Sequence, residues 1–164
     1  GYGNEKALNQ LLAHHSVIFS PEDCIAWVST APYQLGAYIA YDLKEIFKEP
    51  SYPSHSVHLQ TQRNIATDPF VLTQAYKDYE QYRQLEQQLI LQLQKKSTIQ
   101  MNDYLSLTAL NPDYWKGYYL LGEAYWTNRC YKEAKEQYKT ALSKEIPYVE
   151  ERKQIEKRLR NCKN

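Results

Sequence analysis

The chain lacks an excess of charge of either sign. Twenty Lys and Arg residues face 19 Asp and Glu residues, so the formal net charge is +1. Proteins that hold nucleic acid or an anionic membrane surface normally present a strong positive field. The last fourteen residues are basic, but Glu150, Glu151 and Glu156 weaken their field. We therefore predict no nucleic-acid partner.

The chain also lacks a long hydrophobic run. A membrane-spanning helix needs roughly 20 apolar residues in succession, and no such run occurs. The first residues, GYGNEKALNQ, have neither the basic nor the apolar region of a signal peptide. We predict no membrane span, and the sequence leaves the compartment unknown.

Cysteines and histidines are few and do not form a recognisable site. Cys24, Cys130 and Cys162 lie far apart, without a C-x-x-C pair or a histidine at zinc-finger spacing. His14 and His15 are adjacent, and neighbouring strand residues point to opposite faces. If the residues on either side of SPED (20–23) form a β-hairpin, Cys24 is expected opposite Phe19. Its thiol would then lie too far from His14 and His15 to form a thiol–imidazole pair. We predict no metal site, no cofactor and no catalytic residue within the chain.

The first third of the chain has the pattern of strands. A short amphipathic helix is predicted over residues 4–15, and HSVIF and CIAWVST are runs of β-branched and aromatic residues separated by SPED. Such runs around a proline-containing turn favour a β-hairpin. AYIAYDL predicts a third strand that leads into a helical turn at LKEIF.

The rest of the chain has the pattern of helices. Residues 48–67 contain prolines and serines without periodicity, which is typical of a connection, and we expect His55 and His58 there to be solvated. Asp68 and Pro69 predict the cap and first position of a long helix over 69–95. Its expected buried stripe contains Leu72, Tyr76, Tyr79, Tyr82, Leu85, Leu89 and Leu93.

Four shorter helices are predicted to follow. The first stops at Asn111-Pro112, the next two surround a break at Thr127 to Arg129, and the last, VEERKQIEKRLRN, is mostly charged. We expect its Val149, Ile155 and Leu159 to face the protein, as in a helix that caps a stack. The predicted fold class is therefore α+β.

One helical pair matches a known repeat. Tyr118-x2-Leu121-Gly122-x2-Tyr125, Ala134-x3-Tyr138-x2-Ala141 and Pro147 follow in order. This pattern resembles the tetratricopeptide repeat (TPR), with Tyr118 in place of Trp and Tyr138 in place of Phe. Small residues at Gly122 and Ala134 suit two helices that approach closely.

The resemblance implies a groove lined by the first helix of the pair. Helical spacing puts Lys116, Tyr119, Glu123 and Trp126 on that face, where Lys116 would bind a carboxylate and the two aromatic rings would contact a peptide or protein. The alternative is that this face packs on the long helix or on the N-terminal third.

The N-terminal third resembles a second family. HHSVIF, WVSTAPYQLG and YIAYDL occur in that order within residues 1–48. This order is similar to the closing segment of the penicillin acyltransferase-like, choloylglycine hydrolase-related N-terminal-nucleophile hydrolases. The resemblance implies an αββα sandwich of which this chain supplies the last strands, and bacterial members can carry a TPR-like tail.

That resemblance also implies a chemistry. Family members attack an amide with a cysteine exposed as the first residue after self-cleavage, whereas Gly1 stands first here. The implied nucleophile would therefore lie in an upstream catalytic segment of the same protein. That segment is also the implied partner of this chain. The expected organisation is a sandwich segment at 1–48, a connection at 49–67 and a TPR-like helical domain at 68–164. The alternative function is a non-enzymatic TPR-type module that binds a peptide.

Overall fold

A computed structural model describes residues 2–4, 11, 13–48, 59–95 and 100–162. Most of the helix predicted near the N-terminus, and both His55 and His58, lie outside these residues. In the described part of the chain, no helix is both long enough and apolar enough to cross a membrane.

The chain divides into two compact units. One, the sheet unit, is Ala7–Thr73, and the other, the helical unit, combines Gly1–Lys6 with Gln74–Asn164. A small antiparallel sheet belongs to the first and five α-helices belong to the second. The α+β class predicted from the sequence is confirmed.

The sheet has three antiparallel strands in chain order. They are β1 (Val17–Ser20), β2 (Ile25–Ser29) and β3 (Tyr38–Asp42). Ile25 and Ala26 of β2 and Ala40 of β3 are buried. The core of this unit therefore lies at the central strand and at β3, away from β1.

The predicted hairpin forms, but its predicted register is wrong. Phe19 lies opposite Ala26, not Cys24, and Ser20 lies opposite Ile25. The turn takes up four residues because Cys24 adopts a left-handed backbone with φ of 56° and its N–H donates to the Pro21 carbonyl at 3.3 Å. The Ser20 hydroxyl donates to Asp23 at 2.9 Å and holds the same turn.

The third strand leads directly into the predicted helical turn. Helix α1 (Leu43–Ile46) begins at Asp42, whose carboxylate accepts hydrogen bonds from the N–H groups of Lys44 and Glu45. Side-chain acceptors at this position satisfy amides that the first turn leaves unpaired. A hydrogen bond from Gln60 Nε2, followed by these two from the backbone, lowers the pKa of the Asp42 carboxyl.

The segment predicted as a simple connection also contributes to the sheet. Leu59 bridges to Tyr41, and Ile65 bridges to Tyr38, on the side of β3 away from β2. The indole N–H of Trp27 donates to the Arg63 carbonyl at 2.7 Å. Sequence periodicity could not show this because isolated bridges need no repeating pattern.

Five helices make up the described helical unit after its N-terminal residues. They are α2 (Gln74–Lys95), α3 (Met101–Leu110), α4 (Trp115–Thr127), α5 (Tyr131–Ser143) and α6 (Val149–Asn161). Each helix packs against the next one in the chain.

The start of the long helix differs from the prediction. Asp68 and Pro69 begin a separate 3₁₀ turn, Pro69–Leu72, and α2 starts only after the extended Thr73. The Thr73 N–H and hydroxyl both donate to the Phe70 carbonyl, which closes that turn. Leu72 is 79% exposed and does not belong to the buried stripe.

Two groups of buried side chains hold the helices together. The first lies among α2, α3 and α4, and the second lies among α4, α5 and α6. Tyr79, Tyr82 and Leu89 of α2 are buried as predicted. On α6, Ile155 is buried as predicted. Val149 is 60% exposed, so the prediction that it faces the protein is wrong.

The helical pair α4 and α5 is closely packed at the residues that the repeat pattern singled out. A Cβ on Gly122 would lie 2.5 Å from Tyr138 Cε1, and both Ala134 and Tyr138 are fully buried. A residue without a Cβ is required where the helices meet this closely.

Candidate functional site

Three of the four predicted groove residues lie together on α4, and α6 covers them. Tyr119 Oη accepts a hydrogen bond from Gln154 Nε2 at 2.7 Å. Glu123 Oε2 pairs with Arg158 Nη2 at 2.6 Å. The Arg158 guanidinium lies over the Trp126 ring, 5.4 Å from its centroid. The face predicted to bind a partner is therefore in contact with the last helix of this chain.

A second acceptor atom of Glu123 ties α5 to the same cluster. Its Oε1 accepts a hydrogen bond from Tyr138 Oη at 2.6 Å. Burial and this carboxylate raise the pKa of the Tyr138 phenol, and burial raises the pKa of Tyr119. Burial alone would lower the pKa of Arg158, but the Glu123 carboxylate outweighs it and raises that pKa. The cluster holds one negative and one positive charge and stays protonated at the phenols.

Lys116, the fourth predicted residue, is directed elsewhere. Its Nζ lies 3.4 Å from Glu86 Oε1 on α2, and that oxygen also accepts a hydrogen bond from Tyr82 Oη at 2.8 Å. Burial, with the nearby Glu86 carboxylate, raises the pKa of the Tyr82 phenol. Lys116 therefore fastens α4 to α2 and does not join the other three residues.

The sequence missed the partners that α6 supplies. Gln154 and Arg158 belong to a run of mixed charges, a pattern that is typical of a solvated helix face. In the structure they contact Tyr119, Glu123 and Trp126, 32 to 35 residues earlier in the chain. The chemical result is a helix-to-helix clamp and not an open site.

An open cleft lies between α2 and α3. It has a volume of about 510 Å³ and is lined by Asp78, Gln81, Gln84, Leu85, Gln88, Ser106, Ala109 and Leu110. Ligand sites commonly occupy roughly 300 to 1,000 Å³. Asp78 is the one ionisable residue of this lining, and sequence reasoning did not identify the cleft.

The glutamine side chains of the cleft are available for hydrogen bonding. Asp78 accepts from Gln74 Nε2 at 2.8 Å, and Ser106 Oγ donates to the Asn102 carbonyl at 2.9 Å. Gln81, Gln84 and Gln88 are exposed and have no side-chain partner among the described residues. Each amide offers one carbonyl acceptor and an NH₂ donor.

The edge strand of the sheet unit is a second exposed feature. Val17, Ile18 and Phe19 are 48%, 43% and 65% exposed. Successive strand residues point to opposite faces, so apolar side chains are exposed on both faces of β1. Within the described part of the chain, β1 pairs only with β2, and its outer edge has no partner strand.

The remaining reactive side chains form no site. Cys24 is half-buried, Cys130 is exposed and Cys162 is buried, and all three are free thiols. Burial raises the pKa of Cys162, which suppresses its thiolate. His14 and His15 are exposed. The described residues contain no group of three His, Cys, Asp or Glu side chains that could hold a metal ion.

Comparisons with known proteins found no relative of this chain. No family model matches the chain, and neither the curated proteins nor the solved structures contain a match to it.

Proposed function

We propose that this chain is the C-terminal portion of a cysteine-nucleophile amidohydrolase or acyltransferase of the N-terminal-nucleophile type. In the intact enzyme, the cysteine sulfur attacks the carbonyl carbon of a small amide, and the C–N bond breaks as the amine leaves with a proton. Water or a second amine then takes the acyl group from the thioester. The chain itself contributes strands and a helical scaffold, and none of these steps is assigned to its residues.

The exposed edge strand is the observation that carries this proposal. A strand with apolar residues on both faces is typical of the interior of a sheet that is covered on both sides. Covering Val17, Ile18 and Phe19 would remove from water the 43% to 65% of these side chains that is still exposed. This is roughly half of the 1.5 to 3 kcal/mol that burial of a fully exposed side chain of this size contributes. A further strand would also satisfy the unpaired edge of β1. These requirements are what the closing strands of a larger αββα sandwich would have.

The alternative of a TPR-type groove receives less support at the predicted residues. Tyr119, Glu123 and Trp126 contact α6, and Lys116 pairs with Glu86. A partner at this face would have to displace α6 and break the partly buried Glu123–Arg158 pair.

The test begins with the intact mass and N-terminal sequence of every polypeptide that purifies with this chain from its native source. We expect a segment whose first residue is a cysteine that iodoacetamide alkylates. We also expect that the assembled protein releases amine from N-acyl amides and that alkylation abolishes this activity. A preparation with neither an N-terminal cysteine nor amine release contradicts the proposal.

A matched pair of variants tests the role of β1. Phe19→Asp replaces a phenyl ring by a carboxylate. Position 19 is 65% exposed in this chain but would be buried in the completed sandwich. We expect the amine-releasing activity of the assembled protein to fall at least about tenfold, because burial of an unpaired charge costs several kcal/mol. Leu72→Asp, at a site that is 79% exposed and outside the sheet, is the control and keeps activity. Equal activity of the two variants would contradict a buried position for β1.

A further inference from the structure

We propose that the cleft between α2 and α3 binds an extended peptide segment of four or five residues, with a Lys or Arg at the end that lies near Asp78. This inference is independent of the proposed amide chemistry, because it rests only on residues of the helical unit.

The unpaired glutamine amides give the cleft its selectivity for a main chain. Gln81, Gln84 and Gln88 follow one another at steps of three and four along α2, so they share a helix face. Each can donate to a peptide carbonyl and accept from a peptide N–H. An extended peptide presents the same two groups at regular intervals, and it needs partners for them when it leaves water.

The length of the cleft sets the length of the segment. Asp78 and Gln88 are separated by ten residues of helix, which rises about 15 Å at 1.5 Å per residue. An extended chain covers that distance in about four to five residues at 3.2 to 3.4 Å each. The opposite wall is low there because Ser106 and Ala109 are small, which leaves room for side chains of the segment.

The two ends of the cleft differ in chemistry. Asp78 is its one ionisable lining residue and attracts a cation at that end. Leu91, on the Gln84–Gln88 stripe, and Leu105, one turn before Ala109, are large exposed apolar residues on these two helices. They lie toward the other end of the cleft, since Tyr104 of α3 bonds the Leu89 carbonyl of α2. The expected segment therefore has a basic residue at one end and an apolar residue at the other.

The test is an NMR titration of the uniformly ¹⁵N-labelled chain with synthetic capped pentapeptides. The probes are Lys-Ala-Ala-Ala-Leu, the same residues in reverse order, and versions of both in which norleucine or glutamate replaces lysine. We expect one of the two lysine-containing peptides, in the forward or the reverse order, to shift the side-chain NH₂ signals of Gln84 and Gln88. We expect it to bind about two- to fivefold more tightly than its norleucine version, as for an exposed ion pair.

Variants decide whether the cleft is the site. Ala109→Trp fills the cleft from an exposed position, and Gln84→Ala with Gln88→Ala removes two amides. Ala109→Trp should abolish the shifts. Gln84→Ala with Gln88→Ala lacks these two signals, so its loss of binding is measured at the backbone amides of the cleft, whereas Gln87→Ala with Gln94→Ala, on exposed positions of α2 outside the lining, should bind as the unaltered chain does. Far-UV circular dichroism checks that each variant is folded. Filling the cleft and removing its amides are independent tests, because they alter different helices.

Three outcomes would overturn the proposal. They are the absence of binding by every probe at millimolar concentration, tighter binding of the glutamate peptides, and unchanged binding by the variants that alter the cleft. None of these results bears on amine release, so the peptide site and the proposed enzyme can fail separately.

Discussion

Glu123 joins three helices with one carboxylate. Its two oxygens accept hydrogen bonds from Tyr138 of α5 and Arg158 of α6, each at 2.6 Å. The Glu123 side chain is 15% exposed, so water compensates little if either bond is lost. A charge-assisted pair in such a setting matters most through the cost of leaving one partner without the other.

Replacing Glu123 tests the strength of this cluster. Glu123→Ala leaves the Tyr138 hydroxyl and the Arg158 guanidinium without their acceptor. We expect the free energy of unfolding to fall by about 1 to 3 kcal/mol, measured by urea denaturation followed by circular dichroism. Glu136→Ala, which removes an exposed ion pair with Lys139 on α5, is the control and should cause no measurable change. An equal effect of the two substitutions would show that the cluster adds no stability.

Residue spacing predicted part of this cluster. Tyr119, Glu123 and Trp126 follow at steps of four and three, and the structure places them on one face of α4. Arg158 could not be predicted as their partner, because charges occur on most sides of α6 and nothing in a single sequence says which one turns inward. The open cleft was missed for a similar reason, since exposed glutamines on α2 look like any solvated face.

At the level of elements, the contact of α4 with α5 depends on one glycine. A Cβ at position 122 would meet the Tyr138 ring at 2.5 and 2.7 Å. Tyr138 is fully buried and its hydroxyl is held by Glu123, so the ring has little room to move.

We therefore expect Gly122→Ala to destabilise the helical unit. Overpacking of this kind costs about 1 to 3 kcal/mol, and it should outweigh the gain of up to about 1 kcal/mol that alanine brings to a helix. Gly117→Ala on the same helix is the control. Its added Cβ would lie 3.7 Å from Thr108 and Tyr82, an ordinary contact, so thermal unfolding should stay the same or rise in temperature. A rise for Gly122→Ala as well would mean that the helices can separate without cost.

The elements themselves were predicted more accurately than their ends. Three strands and the helices after residue 100 form where periodicity and turn residues indicated. The register of the hairpin was wrong because Cys24, not glycine, occupies a left-handed position in the turn. Asp68 and Pro69 resemble a helix start, and they do start a helical turn, but Thr73 interrupts it before α2. Local sequence describes each turn without showing which neighbouring element extends it.

On the scale of the whole molecule, buried phenols link stability to alkaline pH. Burial raises the pKa values of Tyr82, between α2 and α4, and Tyr138, between α4 and α5. The folded unit then keeps protons that the unfolded chain releases near pH 10. Their contribution to stability is complete below about pH 10 and declines as the pH rises further, by up to ~1.4 kcal/mol per pH unit for each phenol.

The expected result is a free energy of unfolding that falls steeply above pH 10. Urea denaturation at a series of pH values measures it, and Tyr138→Phe should remove about one phenol's share of the slope. Tyr131→Phe, at an exposed position, is the control and leaves the slope unchanged. The same slope for wild type and Tyr138→Phe would contradict a raised pKa at Tyr138.

The positions of the three tryptophans give each unit its own optical reporter. Trp27, whose indole bonds the Arg63 carbonyl, lies in the sheet unit, while Trp115 and Trp126 lie in the helical unit. In a Trp27→Phe variant, fluorescence reports on the helices alone, and in a variant with phenylalanine at both other positions it reports on the sheet. An added upstream segment that orders the strands without altering the helices would therefore change the emission wavelength of Trp27 and leave that of Trp115 and Trp126 unchanged.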